Sequence, residues 1–181
     1  EGLEIMWYLS GQIKSEFNYK NGKRDGLWID WHGTGEKTKE IHYKDGIRVG
    51  LSTYWDENGI KLREIYILKN DFNEKVNTSF YVSGEKHYET PTKNGKNHGV
   101  STCYHKTGGK SWEVYYKDGK KEGLRTHWYE SGEKKKEVYY KNGNKEGVEK
   151  SWYKNGNKKK ETSYKDGILN GLTQLWKKNG F

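Results

Sequence analysis

Hydrophobic and polar residues alternate in short stretches, and the alternation restarts every 24 residues. With Gly2 taken as position 0 of the first repeat, later repeats start at Gly26, Gly50, Lys75 (after a one-residue slip), Gly99, Gly123, Gly147 and Gly171. In the first strand of a repeat the apolar residues lie at positions 1, 3 and 5, as do Leu27, Ile29 and Trp31 in the repeat that starts at Gly26. A two-residue period is typical of a strand with one buried side. We therefore predict that positions 1, 3 and 5 are buried.

Glycine follows each of the two strands predicted in a repeat. Position 9 is always glycine, preceded by Ser, Thr or Asn, and a second strand such as residues 137–141 ends at another glycine. The pairs at this second turn are Asn21-Gly22, Asp45-Gly46, Asn94-Gly95, Asp118-Gly119, Asn142-Gly143 and Asp166-Gly167. Asn-Gly and Asp-Gly accept positive φ and are strong signals of a β-hairpin. The glycine density and the absence of a 3.6-residue period disfavour helix.

Consecutive hairpins without crossover segments pair only with their neighbours. We therefore predict an all-β fold, an elongated single-layer antiparallel meander of repeated hairpins. Equivalent side chains should recur on every second strand, about 9.6 Å apart. Residues 1–181 are predicted to form a single array of about seven and a half repeats.

Two columns of side chains repeat in register. Position 5 is aromatic (Trp7, Trp31, Trp55, Phe80, Tyr104, Trp128, Trp152 and Trp176), and position 14 is glutamate (Glu16, Glu40, Glu64, Glu89, Glu113, Glu137 and Glu161). A catalytic residue is needed once, so residue types repeated this often are architectural. We predict that the aromatic row stabilises the sheet, that Lys or Tyr of the intervening strand bonds each glutamate, and that the protein is not an enzyme.

The repeat is irregular over residues 67–92. Residues 67–74 lack an Asp-Gly or Asn-Gly turn and contain one extra residue, and Pro91 and Thr92 stand where neighbouring repeats place Tyr or His and then Tyr. Because proline cannot donate a hydrogen bond to the ladder, we expect a bend or bulge in this segment.

Composition adds a charge asymmetry. Only 30% of the residues are apolar, and the net charge of +9 is uneven: residues 1–74 carry 11 Lys and Arg against 13 Asp and Glu, and residues 75–181 carry 23 against 12. Two triplets one repeat apart, here called the lysine strip, are the predicted partner-binding residues: Lys134, Lys135, Lys136, Lys158, Lys159 and Lys160. Such a strip would attract an acidic protein, an anionic membrane surface or nucleic acid. The alternative is a set of solvated lysines that discourage edge pairing.

Other chemistry is weakly represented. Only four arginines are present and they are not clustered, which argues against sequence-specific reading of nucleic acid. Cys103 and His127 occupy equivalent positions, and His105 lies nearby. A separation of about 9.6 Å is too large for a shared metal or a Cys-His pair. We predict no metal and no cofactor, and the single cysteine excludes an internal disulfide framework.

Localisation stays open. No run approaches the roughly 18 apolar residues of a membrane span, and the N-terminal residues have neither the basic nor the apolar segment of a signal peptide. We expect the protein to be located in the cytoplasm or, if a signal peptide was removed, in the cell envelope.

The segment from Gly123 to Gly147 reads Gly-Leu-x-x-x-Trp-Tyr-x-x-Gly-x-Lys-x-x-Glu, followed by Tyr-Lys-x-Gly and the next repeat's glycine. It resembles the bacterial variant of the MORN repeat and is similar to the YwqK-type antitoxin group. The resemblance implies a sheet of hairpins without known catalytic residues, with roles in binding proteins or, in eukaryotic relatives, membranes. It favours a protein-interaction scaffold, an antitoxin or immunity factor. The alternative is an envelope-associated or secreted protein that contacts anionic lipid or glycan through its basic half.

Overall fold

A computed structural model describes residues 1–68 and 73–179. Every regular element in these ranges is a β-strand, which confirms the all-β prediction. The chain divides into two compact units, residues 1–86 and 87–181, called here the N-terminal and C-terminal units. No helix suited in length and hydropathy to crossing a membrane occurs in the described ranges.

The N-terminal unit is an antiparallel meander in which neighbours in the chain are neighbours in the sheet. Its strands are β1 (Gly2–Trp7), β2 (Ile13–Lys20), β3 (Lys23–Trp31), β4 (Lys37–Lys44), β5 (Ile47–Trp55), β6 (Lys61–Ile67) and β7 (Glu74–Phe80). The connection between β6 and β7 contains part of the predicted irregular segment, of which residues 69–72 lie outside the described residues.

The C-terminal unit repeats this arrangement. Its strands are β8 (Lys86–Lys93), β9 (Lys96–Asn97), β10 (Gly99–Tyr104), β11 (Lys110–Lys117), β12 (Lys120–Trp128), β13 (Lys134–Lys141), β14 (Asn144–Trp152), β15 (Lys158–Lys165) and β16 (Ile168–Leu175). β8 pairs with both β9 and β10, and the later strands pair in chain order. Strands β9 and β10 are separated at His98, whose amide donates to the carbonyl of Pro91. This interruption lies opposite the proline, which has no amide of its own to donate.

The Asn-Gly and Asp-Gly turns have the predicted backbone geometry. Asn142 has φ of 50° and Gly143 has φ of 91°. Positive φ at both central residues is the requirement of the two-residue hairpin turn that matches the twist of paired strands. The first residue of all six predicted pairs has positive φ, which confirms the hairpin prediction.

A β-bulge recurs at the start of the second strand of the repeat. Trp128 pairs with Lys134, but the preceding residue His127 pairs with Lys136, so Lys135 is an extra residue without a partner across the ladder. Residues three apart normally point to opposite faces of a strand, and the extra residue reverses this relation. The bulge therefore brings Lys134 and Glu137 to one face, with 2.6 Å between Nζ and Oε1.

Strand alternation defines two faces. We call the side of Val138 the core face and the side of Trp128 the Trp face. The buried large apolar side chains of the described residues are Phe17, Ile41, Tyr43, Ile67, Val114, Val138 and Tyr140. All of them occupy positions 15 and 17 of a repeat, so the core follows the second strand of each hairpin.

The predicted burial of positions 1, 3 and 5 is wrong in part. Thr126 at position 3 is 8% exposed, but Leu124 at position 1 is 52% exposed. On the core face a basic side chain lies over the buried residues of positions 15 and 17. Lys121 Nζ, for example, lies 5.0 Å from the centre of the Tyr140 ring. The aliphatic stems of such residues shield rings beneath them from water. The Leu124 side chain, on the Trp face, keeps much of its surface in contact with solvent.

Side-chain hydrogen bonds link several turns to the following repeat. The Tyr129 hydroxyl donates to the carbonyl of Trp152 at 2.8 Å, and Tyr153 donates to the carbonyl of Trp176 at 2.9 Å. Tyr8 makes the equivalent bond in the N-terminal unit at 2.7 Å. These bonds join residues 23 positions apart and add a contact between repeats to the strand ladder.

Removal of one of these links should be measurable. We expect Tyr129→Phe to lower the free energy of unfolding by about 1 kcal/mol, the usual net contribution of a hydrogen bond. Urea unfolding followed by circular dichroism would measure it. Tyr139→Phe is the control, because the exposed Tyr139 hydroxyl has no hydrogen-bond partner within the described ranges. Equal losses in the two variants would contradict a role for the Tyr129 bond.

Candidate binding surface

The Trp face of the C-terminal unit carries exposed apolar side chains on five neighbouring strands, here called the apolar row. Its members are Val100, Tyr115, Leu124, Tyr139 and Val148, each between 39% and 52% exposed. Val100 pairs with Tyr115 and Leu124 pairs with Tyr139, so the row crosses five neighbouring strands. Single exposed apolar residues are ordinary, but a contiguous patch of them is typical of an interaction site.

The glutamate column lies beside this row and is architectural. Five glutamates of the column are each bonded by the lysine three residues before them: Lys37 with Glu40, Lys61 with Glu64, Lys110 with Glu113, Lys134 with Glu137, and Lys158 with Glu161. We had expected partners on the intervening strand. That expectation is wrong for these pairs, because the β-bulge turns the lysine of the same strand toward its own glutamate.

The same lysines reach the aromatic column. Lys110 Nζ lies 6.0 Å from the centre of the Trp128 ring, and Lys158 Nζ lies 5.4 Å from that of Trp176. A lysine placed between a carboxylate and an indole is favoured by both contacts. Glutamate, lysine and tryptophan thus form one contact chain that recurs along the sheet.

The lysine strip does not lie on one face. Lys134 points to the Trp face, while Lys136, paired with His127, points to the core face. There Lys136 bonds Glu149 at 2.8 Å, and Lys145 bonds the other oxygen of the same carboxylate at 2.7 Å. Three of the six lysines of the strip, Lys134, Lys136 and Lys158, are therefore paired with carboxylates.

The other three lysines are not ion-paired within the described ranges. Lys135 and Lys159 are the bulge residues of their strands, and each ammonium lies 5.5 Å from a tyrosine ring centre, of Tyr129 and Tyr153 respectively. Lys160 pairs through its backbone with Ser151. These three lysines are the part of the strip that keeps its charge available to a partner.

The charge asymmetry follows the division into units. The C-terminal unit contains 21 Lys and Arg against 11 Asp and Glu, whereas the N-terminal unit contains 13 against 14. An acidic partner would therefore be attracted to the C-terminal unit, which also carries the apolar row.

Cys103 and His127 do not form a joint site. Trp112 pairs with both of them, so its indole lies between the two side chains, which confirms their predicted separation. Burial raises the pKa of the Cys103 thiol. His105 is engaged with the carbonyl of Trp128 at 3.2 Å. No group of three or more His, Cys, Asp or Glu side chains in residues 1–68 and 73–179 is placed to hold a metal ion.

His127 should make stability depend on pH. Burial, and then the positive charges of Arg125 and Lys136, lower its pKa from 6.5 to about 4. The folded state therefore favours the neutral ring, and the stability gained from this is complete above pH 6.5 and is lost as the pH falls toward 4. A shift of this size corresponds to about 3–4 kcal/mol, and because the ring is only half-buried we expect solvent screening to reduce the loss over that interval to roughly 2–3 kcal/mol.

The measurement is urea unfolding of the protein and of His127→Ser at several pH values between 7 and 4. Serine occupies the equivalent position in the next repeat at Ser151. Burial raises the pKa of Glu149, the carboxylate that faces His127, but the bonds from Lys136 and Lys145 outweigh this and hold that pKa below its usual value. Glu149 is present in both proteins, so only the difference between them reports on the histidine. Parallel losses in the two proteins would show that His127 is not responsible.

Sequence reasoning missed the apolar row. Its signal was present, because position 1 is Leu or Val and position 16 is Tyr in adjacent repeats, and position 1 was interpreted as core. Only the burial of the opposite face shows that these residues are left exposed.

The 24-residue hairpin repeat has counterparts in known proteins. Residues 1–21, 121–142 and 145–166 match the family model described as the MORN repeat variant. The repeats of this chain are MORN-like. No curated protein matches the chain. Among solved structures it is similar to one titled "Crystal Structure of TarM", with 15% identity and a TM-score of 0.32 over 65% of this chain and 20% of that one. The chain thus spans about a fifth of that protein's length.

Proposed function

We propose that this protein is a non-catalytic scaffold that binds another protein, and that the apolar row is the main contact. The observation that carries the proposal is the exposure of five large apolar side chains on consecutive strands. Buried on association, such side chains supply the central contacts of an interface. The MORN-like repeats support a repeat-based binding scaffold.

The partner we propose has an acidic surface. The basic excess of the C-terminal unit, with Lys135, Lys159 and Lys160 free of carboxylates, would steer such a protein toward the apolar row. Charge of this kind acts mostly on the association rate and makes binding weaken with added salt.

A protein is a better match than an anionic membrane. Glu113, Glu137 and Glu161 lie on the Trp face beside the apolar row, and each is paired with a lysine of its own strand. This face therefore carries both signs of charge beside exposed apolar side chains, which matches a protein surface better than the uniform negative charge of an anionic membrane. Within this class we propose a toxin, for which the chain would be a bacterial antitoxin or immunity factor. The second candidate is an envelope protein that contacts anionic lipid or glycan.

The test is isothermal titration calorimetry with the purified product of the gene adjacent to this chain's own gene. We expect the double variant Leu124→Ser, Tyr139→Ser to bind at least tenfold more weakly, since central interface residues are often each worth 2 kcal/mol or more. Leu62→Ser is the control, because Leu62 is equally exposed but lies in the N-terminal unit. Circular dichroism must show that all three proteins are folded.

Two outcomes would count against the proposal. An unchanged affinity of the double variant would exclude the apolar row as the contact. Flotation with phosphatidylglycerol vesicles but not with phosphatidylcholine vesicles, combined with no binding of the neighbouring gene product, would favour the membrane candidate.

A separate variant tests the contribution of the unpaired lysines to binding. Changing Lys135, Lys159 and Lys160 to glutamine should leave folding intact, because exposed charges contribute little to stability. The affinity for the acidic protein and its dependence on salt should both fall. Lys136 is left unchanged in this variant, since its loss would leave the buried Glu149 with a single partner.

A further inference from the structure

Arg125 lies on the core face of the C-terminal unit, opposite the apolar row. Its guanidinium stands over the Trp112 ring, 4.6 Å from the ring centre, and its backbone pairs with Val114 and Val138 on the two neighbouring strands. Its Nε is buried and has no hydrogen-bond partner. No carboxylate of the described residues forms an ion pair with it.

The equivalent residue of the next repeat shows the contrast. Glu149 occupies the same position and is also charged, but Lys136 and Lys145 each bond one of its oxygens. Two lysines therefore compensate the charge of this carboxylate. The arginine itself is left without a counter-charge within residues 1–68 and 73–179.

Within the described ranges this cation has no counter-charge and its buried Nε has no hydrogen-bond partner, so an external anion that reaches the rest of the guanidinium would be attracted to it. The planar guanidinium presents its donors as a fork that matches the two oxygens of a carboxylate. Trp112 holds the plane of that fork against its ring. His127 and Lys136 add no competing negative charge.

We propose that Arg125 is an anion-binding residue, and that its ligand is a carboxylate side chain of an acidic peptide segment. A single guanidinium balances a single carboxylate, whereas a phosphate dianion would need a second free cation, and Lys136 is already paired. The site lies on the face opposite the apolar row, so it is a second binding surface and does not rest on the first.

The experiment is a titration with hexaglutamate, with hexaglutamine as the matched neutral peptide. The reporter is the Nε–H signal of Arg125 in a nitrogen–proton NMR spectrum, assigned by its loss in Arg125→Lys. We expect a saturable shift with hexaglutamate and none with hexaglutamine. A shift spread equally over all four arginines would show only diffuse attraction and would overturn the proposal.

Variants then test the side chain. Arg125→Met should weaken hexaglutamate binding at least tenfold, because hydrogen bonds to charged groups contribute more than neutral ones. Arg63→Met is the matched control and should change it less than threefold, since Arg63 also stands over an aromatic ring, that of Tyr54 at 4.3 Å, but in the N-terminal unit. Arg125→Lys should bind hexaglutamate at least fivefold more weakly than the unchanged protein. Full affinity in that variant would exclude recognition of the carboxylate by the guanidinium fork.

Stability and competition complete the test. Arg125→Met should melt at the same temperature as the unchanged protein or higher, and a marked drop would indicate a structural arginine instead. Inorganic phosphate should compete no better than acetate for the Arg125 signal, and stronger competition would overturn the carboxylate assignment. The Leu124→Ser, Tyr139→Ser variant should bind hexaglutamate normally, so failure at one surface is distinguishable from failure at the other.

Discussion

Val138→Asp is expected to lower the free energy of unfolding of the C-terminal unit by about 4 kcal/mol or more, because it removes a buried apolar side chain and places a charge in its position. Val138 is 2% exposed and lies in the buried row of the core face. Urea unfolding followed by circular dichroism would measure the loss, and the variant is expected to be largely unfolded at room temperature if the unit is only moderately stable.

The next residue along the chain provides the control for this substitution. Tyr139 belongs to the exposed apolar row, so Tyr139→Asp should cost no more than about 1 kcal/mol. Similar losses in the two variants would mean that the core and Trp faces are equally buried, in conflict with the alternation of β13. A small loss at Val138 alone would mean that the core lies elsewhere.

Trp128→Ala is expected to lower the free energy of unfolding by about 2–3 kcal/mol, since the half-buried ring contacts the adjoining strands and its removal leaves a gap between two repeats. Lys110 lies over this ring, and the Trp128 carbonyl is bonded by His105 of the preceding repeat. Damage should therefore spread to the neighbouring repeats, which a decreased denaturant slope would also reveal.

Trp7→Ala is the matched control at the same position of the first repeat. Trp7 is 59% exposed, so its replacement should cost less than half as much. If Trp128→Ala keeps full stability and instead loses partner binding, the tryptophan row is a ligand platform, and our structural interpretation of it is wrong.

The local structure could be predicted well from the sequence, because each hairpin is determined by residues close together in the chain. Asn142 and Gly143 accept positive φ wherever they occur, so the turn between β13 and β14 followed from two residues alone. The repetition of glutamate and tryptophan likewise identified them as architectural before their contacts were known.

The faces of the sheet could not be predicted in this way. Leu124 and Val138 are both aliphatic, and a period of two does not show which of them is covered. That depends on the cations that lie across the core face and on the register of the strands, both of which join residues distant in sequence. The apolar row therefore became visible only in the structure.

The sequence by itself determined the repeat, the strands, the turns and the uneven charge, since these are local patterns or simple counts. Only the tertiary structure decided which lysines are paired with carboxylates and which cations of the described ranges are left unpaired. The bulge at Lys135 turns Lys134 toward Glu137, and strand pairing places Lys136 against Glu149 while Arg125 has only an indole beneath it. The physical reason is that an ion pair depends on distances of a few ångströms between side chains, and strand register and bulges determine those distances.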